Sequence, residues 1–155
     1  MLPIKIIMAD DEPGILLLLG SVLNELEGAL VVGTAENAND AIGLVKDQSP
    51  DLAFLDIELP DMRGIELADR LRKIKPDLAI VFITAHQEYS LDAFKLYAFD
   101  YILKPIDEER VKTNFRHIQQ MLKMIKKNHL NPQAATISIN FGTGVMHLME
   151  INRSP

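Results

Sequence analysis

Short apolar runs alternate with helical patterns along most of the chain. The first run is Ile4 to Ala9, and a helical stretch from about Pro13 to Glu27 follows it. Pro13 stands early in that stretch, where its missing N–H costs nothing. Residues 30–35 (LVVGTA) predict a second strand. In ENANDAIGLVKDQ the apolar Ala38, Ala41, Ile42 and Val45 recur three and four apart, the mark of a helix with one buried face, and Ser49-Pro50 breaks it. DLAFLDI (51–57) predicts a third strand, LPDMRG a loop, and GIELADRLRKI an amphipathic helix with Ile65, Leu67, Ala68 and Leu71 on its inner side. Beyond Lys75-Pro76-Asp77 come a fourth strand, LAIVFIT (78–84), a helix, QEYSLDAFKLYA, and a short fifth strand, FDYILKP. A long helix begins at Asp107.

This is β-α repeated five times, with strands that are apolar throughout rather than at alternate positions. Strands apolar on both faces are those buried beneath helices on each side, as in a parallel sheet. The expected fold class is α/β, with a doubly wound five-stranded parallel sheet. Ligands of such folds sit outside the carboxyl ends of the strands, so the residues just past each apolar run are the ones to interrogate.

Asp10 and Asp11 follow the first strand, Asp56 ends the third, Thr84 follows the fourth and Lys104 follows the fifth. The second ends in Thr34-Ala35-Glu36, which adds nothing obvious. Taken singly, each has a bland explanation. Asp10-Asp11-Glu12 suits an acidic turn or a helix N-terminus, where negative charge favours the dipole. Asp56 could cap a loop, Thr84 be an ordinary hydroxyl and Lys104 a surface lysine. Gathered at one edge of one sheet, they describe chemistry instead. Three crowded carboxylates need a compensating cation, and hard oxygen ligands without nearby histidine or cysteine favour Mg²⁺ or Mn²⁺. A lysine and a hydroxyl converging there would clamp phosphoryl oxygens. Such a set suits transfer of a phosphoryl group onto a carboxylate.

MADDEP, LAFLDIELPDMRGIEL, VFITAH and DYILKPI occur in order and at appropriate spacings over about residues 3–125. Together they resemble the receiver domain of two-component response regulators, the chemotaxis-regulator-like, flavodoxin-like (βα)5 fold. The resemblance implies that Asp56 is the phosphoacceptor and that Asp10, Asp11 and Asp56 hold the metal, with the backbone carbonyl of Glu58 as a further contact. It implies Thr84 as the switch hydroxyl, Lys104 as the phosphate-pairing amine and Tyr101 as the switch aromatic, whose other explanation is plain core filling. Glu12 remains a flanking charge, and His86 and Met62 are taken as loop or groove lining. Lys104-Pro105 matches the family's cis peptide, which an X-Pro bond makes accessible. The implied partner is a sensor histidine kinase. Phosphorylation would draw in Thr84 and Lys104, let Tyr101 turn inward, and repack the surface of the fourth helix, fifth strand and last helix (87–125) for a homodimer or an output.

The last helix carries Val111, Phe115, Ile118, Leu122 and Ile125 in a heptad-like stripe. Val111 to Ile118 are expected to face the core, and Leu122 onwards a partner helix. After HLNPQAA, the alternation in TISINF, the turn GTG and then VMHLMEI predict a β-hairpin. TAHQEYSLDAFKLYAFDYILKPI is similar to regulators with a LytTR-type DNA-binding output. The expected division is a receiver over 1–127, a linker over 128–135, and a fragment of a β-rich output domain over 136–155, with a genuine tail or vector-derived residues as alternatives. DNA would then be read only through an output domain absent or incomplete here.

Composition narrows the field further. In 155 residues, 48% hydrophobic and 25% charged content suits a soluble globular domain. No apolar run approaches the roughly 18 residues of a membrane helix, and no signal peptide is evident, so the expected address is cytoplasmic. With no cysteine, disulfides and thiolate chemistry are excluded. Residues 1–106 carry −9 and residues 107–155 carry +3, so the acidic body is not expected to grip nucleic acid or membrane itself. Two other functions compete with this reading. A Mg²⁺-dependent aspartyl-phosphate phosphohydrolase would have its nucleophile on the first strand and a second aspartate two residues later, where this chain has Glu58. A receiver-like adaptor would never accept phosphate. The expectation is a phosphoacceptor that takes part in its own phosphotransfer and dephosphorylation, not an enzyme acting on other molecules.

Overall fold

Five strands form one parallel sheet: β1 (Ile4–Ala9), β2 (Ala29–Ala35), β3 (Leu52–Asp56), β4 (Ala79–Thr84) and β5 (Asp100–Leu103), ordered β2-β1-β3-β4-β5. Among the described residues, four helices accompany them, α1 (Pro13–Asn24), α2 (Ala38–Gln48), α3 (Gly64–Ile74) and α4 (Glu108–Asn128). The computed structural model describes residues 2–85, 98–128, 137–140 and 145–148. The helix expected over 87–98 lies, but for Ala98, outside the described residues.

The continuous apolar strands serve two cores at once, because successive side chains point to opposite faces. Ile6 and Met8 of β1, Phe54 of β3 and Val81 of β4 pack with Leu19 and Leu23 of α1 and with Val111, Phe115 and Ile118 of α4. Their neighbours Ile7, Leu55 and Phe82 pack on the other side with α2 and α3. That second core is built largely of small residues where α2 lies: Ala9, Ala35, Ala38, Ala41 and Ala53 are all buried in it. This is the doubly wound arrangement expected from the apolar strands, and the flavodoxin-like fold that the receiver resemblance implies.

Two details depart from expectation. First, α1 stops at Asn24, not near Glu27. The chain tightens there into i−3 bonds, Glu25 N–H to Val22 and Leu26 N–H to Leu23, and Gly28 adopts φ +91° to swing into β2. Second, Leu122 packs against the chain's own core and Ile125 is 8% exposed, so the stripe beyond Ile118 faces its own body instead of a partner helix. As expected, α2 ends at the Ser49-Pro50 break, and its Ser49 cap is left-handed at φ 47°. Further on, β6 (Ile137–Asn140) and β7 (Val145–Leu148) pair antiparallel, Ile137 opposite Leu148, as the hairpin pattern predicts.

Candidate functional site

The strand order reverses direction at β1 and β3, and ligands of open α/β sheets bind at such a switch point. Asp10 directly follows β1, and Asp56 is the last residue of β3. Asp10 and Asp56 are buried, Asp11 is exposed, and all three can bring a carboxylate oxygen within 4.8 Å of one another. Backbone donors orient two of these groups. Asp10 Oδ1 accepts the Glu12 N–H at 2.9 Å, and Asp56 Oδ1 accepts the Glu58 N–H at 3.1 Å.

Lys104 closes the site from β5. Its Nζ lies 2.9 Å from Asp10 Oδ2, 2.9 Å from Glu12 Oε1 and 3.4 Å from Asp56 Oδ2. The contact to Asp10 is an ion pair without the angles of a hydrogen bond, which leaves Asp10 Oδ2 buried with no hydrogen-bond partner. The Lys104 N–H donates to the Thr84 carbonyl at 2.8 Å, and the Thr84 side chain is fully buried. The Lys104–Pro105 bond is cis. Tyr101 is buried, 5% exposed, in the core shared with α2 and α3.

Electrostatics follow from this crowding. Burial pushes the Asp56 carboxyl up to about 6; the Glu58 N–H pulls it back, Asp10 adds to the rise and Lys104 opposes it. Burial alone would depress the Lys104 ammonium, but its hydrogen bond to Glu12 and the adjacent charges of Asp10 and Asp56 hold it above its ordinary value. One lysine therefore faces three carboxylates, with a buried oxygen still unsatisfied. A hard divalent cation fits that donor set, since it is held by oxygen ligands and keeps several waters.

Two polar groupings were not legible as such in the sequence. Glu12, taken as a flanking charge, is a direct partner of Lys104. Asp100, at the start of β5, is buried against α4: Arg110 Nη2 lies 3.2 Å from both its oxygens, Asn114 Nδ2 donates at 2.8 Å and the Tyr101 N–H at 2.7 Å. Arg110 also donates to the Tyr101 carbonyl at 2.9 Å. Burial raises Asp100 to about 6, against the lowering charges of Arg110 and His117 and bonds from Tyr101 and Asn114. The signal available was an aspartate inside an apolar run, with Arg110 and Asn114 one helical turn apart.

The fold and the site define a signalling receiver module, and comparison with known proteins gives the family. The family model described as the response regulator receiver domain matches residues 6–116, and the chain belongs to that family. It is 33% identical over 141 residues to the sensory transduction protein LytT of Bacillus subtilis, covering 91% of this chain and 58% of that protein. It is 36% identical over 137 residues to the transcriptional regulatory protein LytR of Staphylococcus aureus, covering 88% and 55%. Among solved structures, the response regulatory domain of mrkE from Klebsiella pneumoniae superposes with a TM-score of 0.73 at 32% identity, over 77% of this chain and 98% of that one. The chain spans about half the length of the curated relatives it matches. It is thus a module of two-component signalling, not a conventional enzyme. Among the described residues, no helix is long and apolar enough to cross a membrane.

Proposed function

We propose that this chain is a phosphorylation-dependent switch in which Asp56 accepts a phosphoryl group from the phosphohistidine of a sensor kinase. The observation that carries this is the gathering of Asp10, Asp11 and Asp56 within 4.8 Å, with Lys104 bridging the first and last of them. The phosphorus–nitrogen bond of the donor breaks as a phosphorus–oxygen bond forms to the Asp56 carboxylate, and the donor histidine leaves as imidazole. Burial raises the Asp56 carboxyl, and the Lys104 ammonium beside it favours the ionised form that attacks. The Glu58 N–H holds one oxygen of Asp56 in place.

Mg²⁺ or Mn²⁺ would be held by Asp10, Asp11, Asp56 and the backbone carbonyl of Glu58, and would neutralise the charge of the transferring group. Lys104 trades a carboxylate for a phosphoryl oxygen, and the Thr84 hydroxyl turns towards the same group. Both residues are bonded across β4 and β5, so their movement reaches Tyr101, three positions upstream on β5, and the polar contacts that dock α4. The altered face of β5 and α4 then controls dimerisation or an output. The name of the Staphylococcus aureus relative, a transcriptional regulatory protein, supports transcription regulation as that output, exerted in the cytoplasm.

Incubation of the purified chain with acetyl phosphate and Mg²⁺, followed by mass mapping, tests this. Asp56 should carry the label stoichiometrically, and Asp56→Asn should abolish it. Undiminished labelling of that variant refutes the assignment. Continuous turnover of an external phosphate ester would instead mark a phosphohydrolase, and neither labelling nor turnover would mark an adaptor.

A further inference from the structure

Asp61, at the tip of the loop between β3 and α3, makes contacts that the site chemistry does not use. Its Oδ1 accepts the Ala38 N–H at 2.7 Å and its Oδ2 accepts the Asn39 N–H at 3.0 Å. These are the first two residues of α2, 23 and 22 positions earlier in the chain. The next donor, the Asp40 N–H, is taken at 2.8 Å by the side chain of Asn37. The start of α2 therefore has two caps of different origin, a local one from Asn37 and a remote one from Asp61. Either satisfies orphan donors of a helix end. Only the remote one ties α2 to the loop that leaves Asp56.

That loop is otherwise a small closed ring. At its base the Gly64 N–H donates to the Ile57 carbonyl, and Glu58 pairs with Arg63 in an isolated antiparallel bridge. Leu59 and Met62 rest on the core shared by α2 and α3. The ring begins one residue past Asp56, and its Glu58 N–H holds the Asp56 carboxylate. Whatever fixes the tip of the ring therefore bears on how that N–H, and the Glu58 carbonyl beside it, present themselves to the site.

We infer that Asp61 is a positioning residue for the phosphoacceptor: by clamping the tip of the β3–α3 loop to the N-terminus of α2, it holds the Glu58 backbone in register with Asp56. This rests on the proposed role of Asp56, and the controls separate the two. Initial labelling rates with acetyl phosphate and Mg²⁺ are compared for the wild type, Asp61→Ala, Asp61→Asn and Asn37→Ala, together with thermal melts and amide hydrogen exchange over residues 57–63. Loss of an orienting partner typically slows a site by 10–100-fold, and about tenfold is expected for Asp61→Ala, with faster exchange in the loop. Asp61→Asn keeps one acceptor oxygen and should fall between that variant and the wild type. Asn37→Ala removes the local cap, so it should lower the melting temperature while leaving labelling and loop exchange unchanged. An unaltered rate in Asp61→Ala overturns the inference. Equal slowing by Asn37→Ala overturns it too, by assigning the effect to α2 stability. A wild type that never labels overturns the role of Asp56 and this inference with it.

Discussion

Replacing Arg110 with methionine isolates the cost of the buried carboxylate of Asp100. Arg110 faces both Asp100 oxygens at 3.2 Å, and the carboxylate is 8% exposed as a residue. Its pKa rises from an ordinary 3.8 to about 6 even with the guanidinium in place. Between those values the folded chain holds a proton that the unfolded chain has released, so stability falls as pH rises through the window and levels off above it. The difference amounts to about 3 kcal/mol. Arg110→Met removes a charge that lowers this pKa, so the decline should continue above 6, at about 1.4 kcal/mol for each further tenfold of proton affinity. Near pH 5 Asp100 is protonated with or without Arg110, and the variant should lose only about 1 kcal/mol with the bond to the Tyr101 carbonyl. Near pH 8 the stranded charge should raise the loss to about 3 kcal/mol. Urea unfolding followed by circular dichroism at both pH values measures the two losses. Asp100→Asn with Arg110→Met is the reference, in which the excess should vanish. Equal losses at the two pH values in the single variant would refute the electrostatic account and leave packing in its place.

Two further substitutions probe the site. A Cβ at position 64 would collide with the Asp56 carbonyl oxygen and lie 2.7 Å from Ile57 Cα. Gly64→Ala should therefore cost about 1–3 kcal/mol in urea unfolding and slow labelling of Asp56, and a neutral result would show that the loop has room to shift. Lys104→Met removes the amine facing Asp10, Glu12 and Asp56. Mg²⁺ should then bind about tenfold tighter by calorimetry, because a repelling positive charge is gone, while labelling slows; weaker binding would contradict that sign.

Much of this architecture was legible because the strands are buried on both faces, which makes each one an unbroken apolar run with a visible end. Asp10, Asp56, Thr84 and Lys104 stand at those ends, so the sheet edge could be reconstructed from spacing alone. Contacts that depend on how one element seats on another were not legible. That Asp100 meets Arg110 and Asn114 depends on the rotation and height of α4 over β5, which an apolar stripe leaves undetermined. The same ambiguity sent Leu122 and Ile125 towards a partner, since a periodic stripe does not say which surface it meets. LPDMRG reads only as a loop, and nothing in it points Asp61 to Ala38 and Asn39, which lie in another βα unit.

The alanines beneath α2 have a consequence for how such a module can be tuned. Ala9, Ala35, Ala38, Ala41 and Ala53 set the gap between that helix and the sheet, as a stack of thin shims sets the gap between two plates. Close packing leaves no slack to absorb even an added methyl group. A bulkier side chain anywhere in the stack would lift α2 and draw the end that Asp61 grips away from the acceptor loop. On the proposed role of Asp56, sequence variation far from any charged group would in this way alter the rate of labelling while every residue of the site stays the same.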